Sequence, residues 1–308
     1  MSLSVGFAIL GSSGILLNLI VAVAIARSKV NNATFTFMLN LVLSDIESLL
    51  GNIMGPSLFS LNVIPRSEAM LRLASYCNAC GFRGSNYWMV LIACSRWLCF
   101  VKKGAFTKLS TRKVRVGICA SIWLGLHLLY SPMLFYQDSV VLMAGPYDYA
   151  NNTYSQLLEY SDRIHDISSG VLQVAFQVMA CVWIIKMHSA VLTPEIRKYK
   201  AREVKLFVQC LLDSIVYCLM LIFFYSVTFG GLTARWFLSI MIVLFIFNHI
   251  DCALFYLCFN KELRDHLNRI RLKLCCRSSS VGPEADINGD ALTLSHNPSH
   301  NAKNAWHS

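Results

Sequence analysis

The stretch CSRWLCFVKK (Cys94–Lys103) closes a long apolar run and passes directly into a basic pair. Lysines bordering such a run are the mark of a helix leaving a bilayer, where long cationic side chains reach the headgroups. Arg96 does not fit that role. At 1.5 Å of rise per residue it lies about 9 Å inward of Lys102. An intramembrane cation is expensive and usually functional, so the stretch separates two jobs. Lys102 and Lys103 set the topology, and Arg96 is a charge held inside the membrane.

Outward from this stretch the same pattern recurs. The chain has 308 residues, of which 56% are hydrophobic and 14% charged, against roughly 25% charged in soluble domains. A spanning helix needs about 20 mostly apolar residues. Seven stretches qualify: Gly6–Ala26, Thr34–Phe59, Ser75–Val101, Val114–Tyr136, Ile164–Met187, Val204–Phe229 and Phe237–Phe259. The first is long enough to remain as a span. Basic residues gather after spans 1, 3, 5 and 7, as in Arg27, Lys29, Lys102, Lys103, Lys186, Arg197, Lys261 and Arg264. Short basic loops face the cytoplasm, so the N-terminus is expected outside and the C-terminus in the cytoplasm, in a multi-pass plasma-membrane protein. The net charge of +10 therefore belongs to membrane-flanking loops and carries no nucleic-acid reading.

After span 7, NKELRDHLNRIRLKLCC (Asn260–Cys276) spaces Leu263, Leu267, Ile270 and Leu274 along one helical face. This predicts an amphipathic eighth helix lying in the interface, with Cys275 and Cys276 as palmitoylation candidates. The expected fold is all-α: a seven-transmembrane helix bundle plus this interfacial helix over residues 1–276. A disordered cytoplasmic tail is expected over 277–308. Asn151, in Asn-Asn-Thr, is an N-glycosylation candidate on the outer side. Asn32 matches the same pattern, but this topology places it in the cytosol.

Polar groups within the spans point to sites. Asn18, Asp45 and Asp251 fall about 13–15 Å deep on three helices, and Asn248 lies one turn outward from Asp251. Together they form an intramembrane polar layer, able to hold sodium, a proton or waters, or to act as interhelical hydrogen-bond contacts. Asp213 has no evident partner in the sequence. The outer half of span 3, SYCNACGFRGSNYW (Ser75–Trp88), is polar for a membrane helix. Tyr76, Arg83, Asn86 and Tyr87, with Tyr225 and Trp236 from later spans, are candidates to line a ligand pocket open to the outside. Arg83 would bind an acidic ligand group or pair with Asp162 or Asp166. The histidines are scattered, with no His-x-x-x-His pair and no Gly-x-Ser-x-Gly elbow. No metal, cofactor or catalytic site is expected, and the chain does not read as an enzyme.

The ordered motifs resemble those of rhodopsin-like G-protein-coupled receptors. Span 1 has LLNLIVAVAI around Asn18, span 2 LNLVLSDIESLL around Asp45, and span 3 ends CSRW. Span 4 carries Trp123 and Pro132, and Tyr256 precedes NKELR. The resemblance covers about Gly14–Cys276. It departs in detail: Ser95 stands where the family has an acid before Arg96, and Trp97 where it has tyrosine. Span 6 lacks Cys-Trp-x-Pro, span 7 reads NHIDCALFY without proline, and Gln137–Arg163 has no cysteine for the usual bridge. REVKLFVQC (Arg202–Cys210) and HIDCALFY are most similar to the divergent nematode serpentine chemoreceptors, class x. The resemblance implies a chemosensory receptor with two partners besides the lipid bilayer, a small-molecule ligand and a heterotrimeric G protein. Coupling would use Ser95, Arg96, Trp97, Arg202, Glu203 and Lys205, with Glu203 in the place of the missing acid. The missing acid and prolines leave an alternative, a seven-span channel or accessory subunit that does not couple to G proteins.

Overall fold

Hydrocarbon offers no hydrogen bonds, so each apolar run must satisfy its backbone within a helix. The structure, a computed structural model, describes residues 2–27, 32–53, 58, 61–63, 67–135, 140–142, 147–149, 153–188, 194–230, 235–259 and 264. All lie in the first of two units, Met1–Asn268.

The helices are α1 (Ser2–Ala26), α2 (Ala33–Asn52), α3 (Glu68–Val101), α4 (Lys103–Leu109) and α5 (Arg112–Tyr130), the last followed by a 3-10 turn, Ser131–Leu134. A short antiparallel pair, β1 (Val140–Leu142) and β2 (Tyr147–Tyr149), follows in what the sequence reads as loop. Then come α6 (Thr153–His188), α7 (Pro194–Gly230), α8 (Arg235–Asn248) and α9 (Asp251–Phe259). Local chemistry starts two of them. Asn32 caps α2 by accepting from the Phe35 amide at 3.0 Å, and Ser67 caps α3 by accepting from Met70 at 3.3 Å, each satisfying an amide with no partner in the helix.

Among the described residues, five helices are long and apolar enough to cross a membrane, or six if α8 and α9, bent by 42° at their junction, form one span. The long helix left out is α3. It has 34 residues, but its N-terminal half is polar. That composition matches its place, because α3 packs against α2, α5, α6 and α7. The eighth helix expected at 260–276 falls outside the described residues apart from Arg264, whose guanidinium donates to the carbonyls of Leu257 (2.9 Å) and Cys258 at the end of α9.

The bundle buries its polar groups among apolar ones and turns apolar side chains outward. Asn18 and His249 are 0% exposed and Asp45 is 1%, while Ile9 (65%), Val171 (62%) and Ile222 (64%) face outward. α2 and α3 meet backbone to backbone. A Cβ on Gly81 would lie 2.2 Å from the Ser48 nitrogen and 2.6 Å from the Ser44 carbonyl oxygen, and one on Gly51 would lie 2.4 Å from the Ala74 carbonyl oxygen. Small residues allow this approach, and Trp88 Nε1 donates across it to Ser44 Oγ at 3.0 Å. α5 is fastened to α2 by Trp123 Nε1 donating to Asn40 (2.8 Å) and Arg115 to Thr36 (2.6 Å).

The seam makes a prediction. Gly81→Ala should destabilise the protein by about 1–3 kcal/mol through overpacking, read as a lower thermal unfolding midpoint. Gly117→Ala, where an added Cβ meets nothing within 4 Å, should leave the midpoint unchanged.

Candidate functional site

Three polar clusters lie along α3. The end of the bundle that carries Arg27 and Lys102 is called the basic end here.

Toward the far end, Arg83 lies between two aspartates of α6. Its Nε is 3.0 Å from Asp162 Oδ1, and its Nη1 pairs with Asp166 Oδ1. Asn86 Nδ2 donates to the same Asp166 oxygen at 3.2 Å, and Tyr225 Oη of α7 donates to Asp166 Oδ2 at 3.4 Å. Tyr130 at the end of α5 donates to Asp162. Arg83, Asp162 and Asp166 are all buried, so the charges are met by protein. Tyr87 packs its ring on His165, 4.4 Å between centroids. Arg83, Asn86 and Tyr225 thus converge on Asp166, and the arginine takes both aspartates proposed as its partners. Tyr76 goes elsewhere: it is hydrogen-bonded to His127 Nδ1 of α5 at 2.7 Å. The Trp236 side chain lies outside the described residues.

The middle cluster joins α1, α2, α3 and the break between α8 and α9. Asp45 Oδ1 accepts from Ser85 Oγ at 2.6 Å and from His249 Nδ1 at 2.8 Å. His249 Nε2 lies 2.9 Å from Ser48 Oγ. Ser48 Oγ also donates to Asn78 Oδ1 at 3.1 Å, and Asn52 Nδ2 donates to the same oxygen at 2.8 Å and to the Ser48 carbonyl at 2.9 Å. The His249 carbonyl, at the break itself, accepts from Asn18 Nδ2 at 2.8 Å, a side chain inserted where the helix bends.

Asn18, Asp45 and Asp251 are all buried in this region, and Asp251 Oδ1 accepts from the Cys252 amide at 2.7 Å. The sequence left Asp213 unpartnered, but in the fold its carboxylate lies within 4.8 Å of the ligand atoms of Asp251 and Cys252. Asn18 Oδ1, Asp45 Oδ2, Asp213 Oδ1, Asn248 Oδ1, Asp251 Oδ2 and Tyr256 Oη are buried with no hydrogen-bond partner among the described residues, and buried polar groups of this kind are commonly satisfied by bound water. His249 was missed as a member of the layer. The signal available was a third polar residue in NHID, within a span otherwise apolar.

At the basic end, Ser95, Arg96 and Trp97 turn in succession toward three neighbours. Ser95 Oγ bonds Thr34 Oγ1 of α2 at 3.0 Å and donates to the Ile92 carbonyl at 2.8 Å. Arg96 is buried against the Cys210 thiol of α7. Trp97 packs on Phe176 of α6, 5.7 Å between centroids. Lys205 is exposed on α7; the side chains of Arg202 and Glu203, and all of Asn151, Cys275 and Cys276, lie outside the described residues.

Residues 17–154 match the family described as 7 transmembrane receptor (rhodopsin family). Over those residues the chain is similar to that family. The match takes in Asn18, Asp45, Arg83 and the Ser95–Trp97 triplet, and it ends before Asp162, Asp213 and His249. No curated protein matches the chain. The matched segment therefore supplies the α2 and α3 members of the three clusters, and the later helices supply their partners.

Removing one member of a buried pair strands the other, at about 3–5 kcal/mol. His249→Ala should cost that much in unfolding measurements on the protein in a bilayer mimetic. Ser85→Ala, which removes one hydrogen bond to a carboxylate, should cost about 1.5–3 kcal/mol. Equal effects from the two variants would contradict the central place of His249 in this cluster.

Proposed function

We propose that this receptor is a chemosensory one, similar to the divergent nematode serpentine chemoreceptors. It binds a small extracellular ligand within the helix bundle and activates a heterotrimeric G protein at its cytoplasmic face. In this reading α3 is a further span, completing seven, and the basic end is cytoplasmic.

The observation that carries the proposal is the triplet Ser95–Arg96–Trp97. Three consecutive residues at the basic end of α3 touch α2, α7 and α6 respectively. Any shift among those helices changes the surroundings of the Arg96 guanidinium. Freed from its place against Cys210, Arg96 suits the C-terminal helix of a Gα subunit, whose end carries carbonyl and carboxylate charge. Lys205, exposed on α7, and Arg202 add cationic charge at the same face. Ser95 stands where the family has an acid, and its hydroxyl ties α3 to α2 in place of a local carboxylate lock. Glu203 remains the proposed acidic partner of Arg96.

The ligand end is the Arg83 cluster. Among the described residues one guanidinium faces two carboxylates there. An acidic ligand would have to displace an aspartate, whereas a ligand with donor groups can share Asp166 with Asn86 and Tyr225. Such a ligand drives the change only by its difference in affinity between two arrangements. The polar layer lies between the two ends, with waters or a sodium ion held by oxygens of Asp45, Asp213 and Asp251.

Arg96→Ala should cut G-protein activation at least tenfold, at surface expression equal to the parent; retained coupling would end this role for Arg96. Arg83→Ala should shift ligand potency more than expression, and the reverse would make the cluster a purely structural contact. Ligand-evoked currents that persist with G proteins blocked would favour the channel alternative.

A further inference from the structure

Tyr76, set apart from the Arg83 cluster, leads to a second group of side chains that the receptor reading does not use. Glu47 of α2, Cys80 of α3 and His127 of α5 each offer a ligand atom, all within 4.8 Å of one another. They come from three helices, so no single element's periodicity brings them together.

We propose that Glu47, Cys80 and His127 form a binding site for zinc in the outer half of the bundle. The donor set is a thiol, an imidazole and a carboxylate, the three side-chain types that zinc takes. Three protein ligands leave the fourth tetrahedral position for water, the open form of such a site.

Three observations beyond proximity point the same way. Glu47 Oε2 is buried and has no hydrogen-bond partner, so an acceptor lies in the protein with nothing to accept from. The imidazole is held in place: Trp123 stacks on it at 5.4 Å with 13° between planes, and Tyr76 Oη bonds its Nδ1 at 2.7 Å. Oriented imidazoles of this kind are a general feature of metal sites. Cys80 is wholly buried in an apolar cluster with Leu126, Tyr130 and Met133, which shields a metal–sulfur bond from water. Glu47 and His127 are only half-buried and give the ion a way in.

On binding, the Cys80 S–H bond breaks, the sulfur lone pair forms the Zn–S bond, and the proton passes to solvent. Affinity therefore rises with pH. The bound ion joins α2, α3 and α5 at one point, and it does so without touching the Arg83 cluster.

The test uses the full-length, tag-free protein in lipid nanodiscs. Zinc is titrated against a chromophoric chelator, and cobalt serves as a spectroscopic substitute. One zinc per chain is expected, with a thiolate-to-cobalt charge-transfer band. Cys80→Ala should abolish that band and weaken zinc at least tenfold; Glu47→Gln and His127→Ala should each weaken zinc at least tenfold. Cys94→Ala, a cysteine lower on α3, should change neither. Saturating zinc should raise the thermal midpoint of the parent and not that of Cys80→Ala. If His127→Ala fails to fold, Cys80→Ala decides, since it removes only a sulfur atom. Equal zinc affinity and an unchanged cobalt spectrum in Cys80→Ala would overturn the site, as would a folded parent that binds no zinc. Zinc held only by the tail histidines, His296, His300 and His307, would give the first of these patterns, with no thiolate-to-cobalt band in the parent.

Discussion

His249 holds the bundle together from its last described span. Its ring is hydrogen-bonded to Asp45 and Ser48 of α2, and its carbonyl accepts from Asn18 of α1. Those bonds lie in a region that lipid cannot solvate, so each must be made within the protein or be lost at full desolvation cost. The bend between α8 and α9 follows from the same constraint. A regular helix would place His249 and Asp251 about 200° apart around the axis. The break lets both turn into the layer with Asp45 and Asp213, and Asn18 closes the opened backbone. No proline stands at this bend; the Asn18 amide and the His249 imidazole hold it.

α3 is the element around which the polar atoms are arranged. It is the least lipid-like of the long helices because its side chains are spent on neighbours. Cys80 and Tyr76 meet α5, Asn78 and Ser85 meet α2, Arg83 meets α6, and Arg96 meets α7. A hydropathy test therefore fails on the very helix that lies deepest. Buried polar groups also cost most when half satisfied, which explains why the clusters are tight and occur at distinct heights along α3.

Much of this was legible in the sequence. The long apolar runs, the basic segments between them, and the depth of Asn18, Asp45 and Asp251 follow from counting residues. For Arg83 the expense of an intramembrane cation demands an acid, but the sequence leaves open whether a ligand or Asp162 or Asp166 supplies it; the fold brings both aspartates to it. Other parts were not legible, for physical reasons. Tyr76 and Arg83 are seven residues apart and so share a face, but they stand about 10 Å apart along the axis. At that height the neighbour is His127 of α5 and no longer α6. His249 and Asp213 take their roles from the broken helix and from α7's position, neither of which a regular period encodes. The Glu47–Cys80–His127 group draws one residue from each of three helices, and no one-dimensional spacing contains it.

The glycine seam has a mechanical consequence. At Gly81 and Gly51 the backbones of α2 and α3 touch with no side chain between them, so neither can slide or roll against the other without atoms overlapping. The pair behaves as a stator. α6, α7 and α8 instead reach α3 through side chains such as Asp166, Cys210 and Phe245, contacts that a change of rotamer alters without moving one backbone through another.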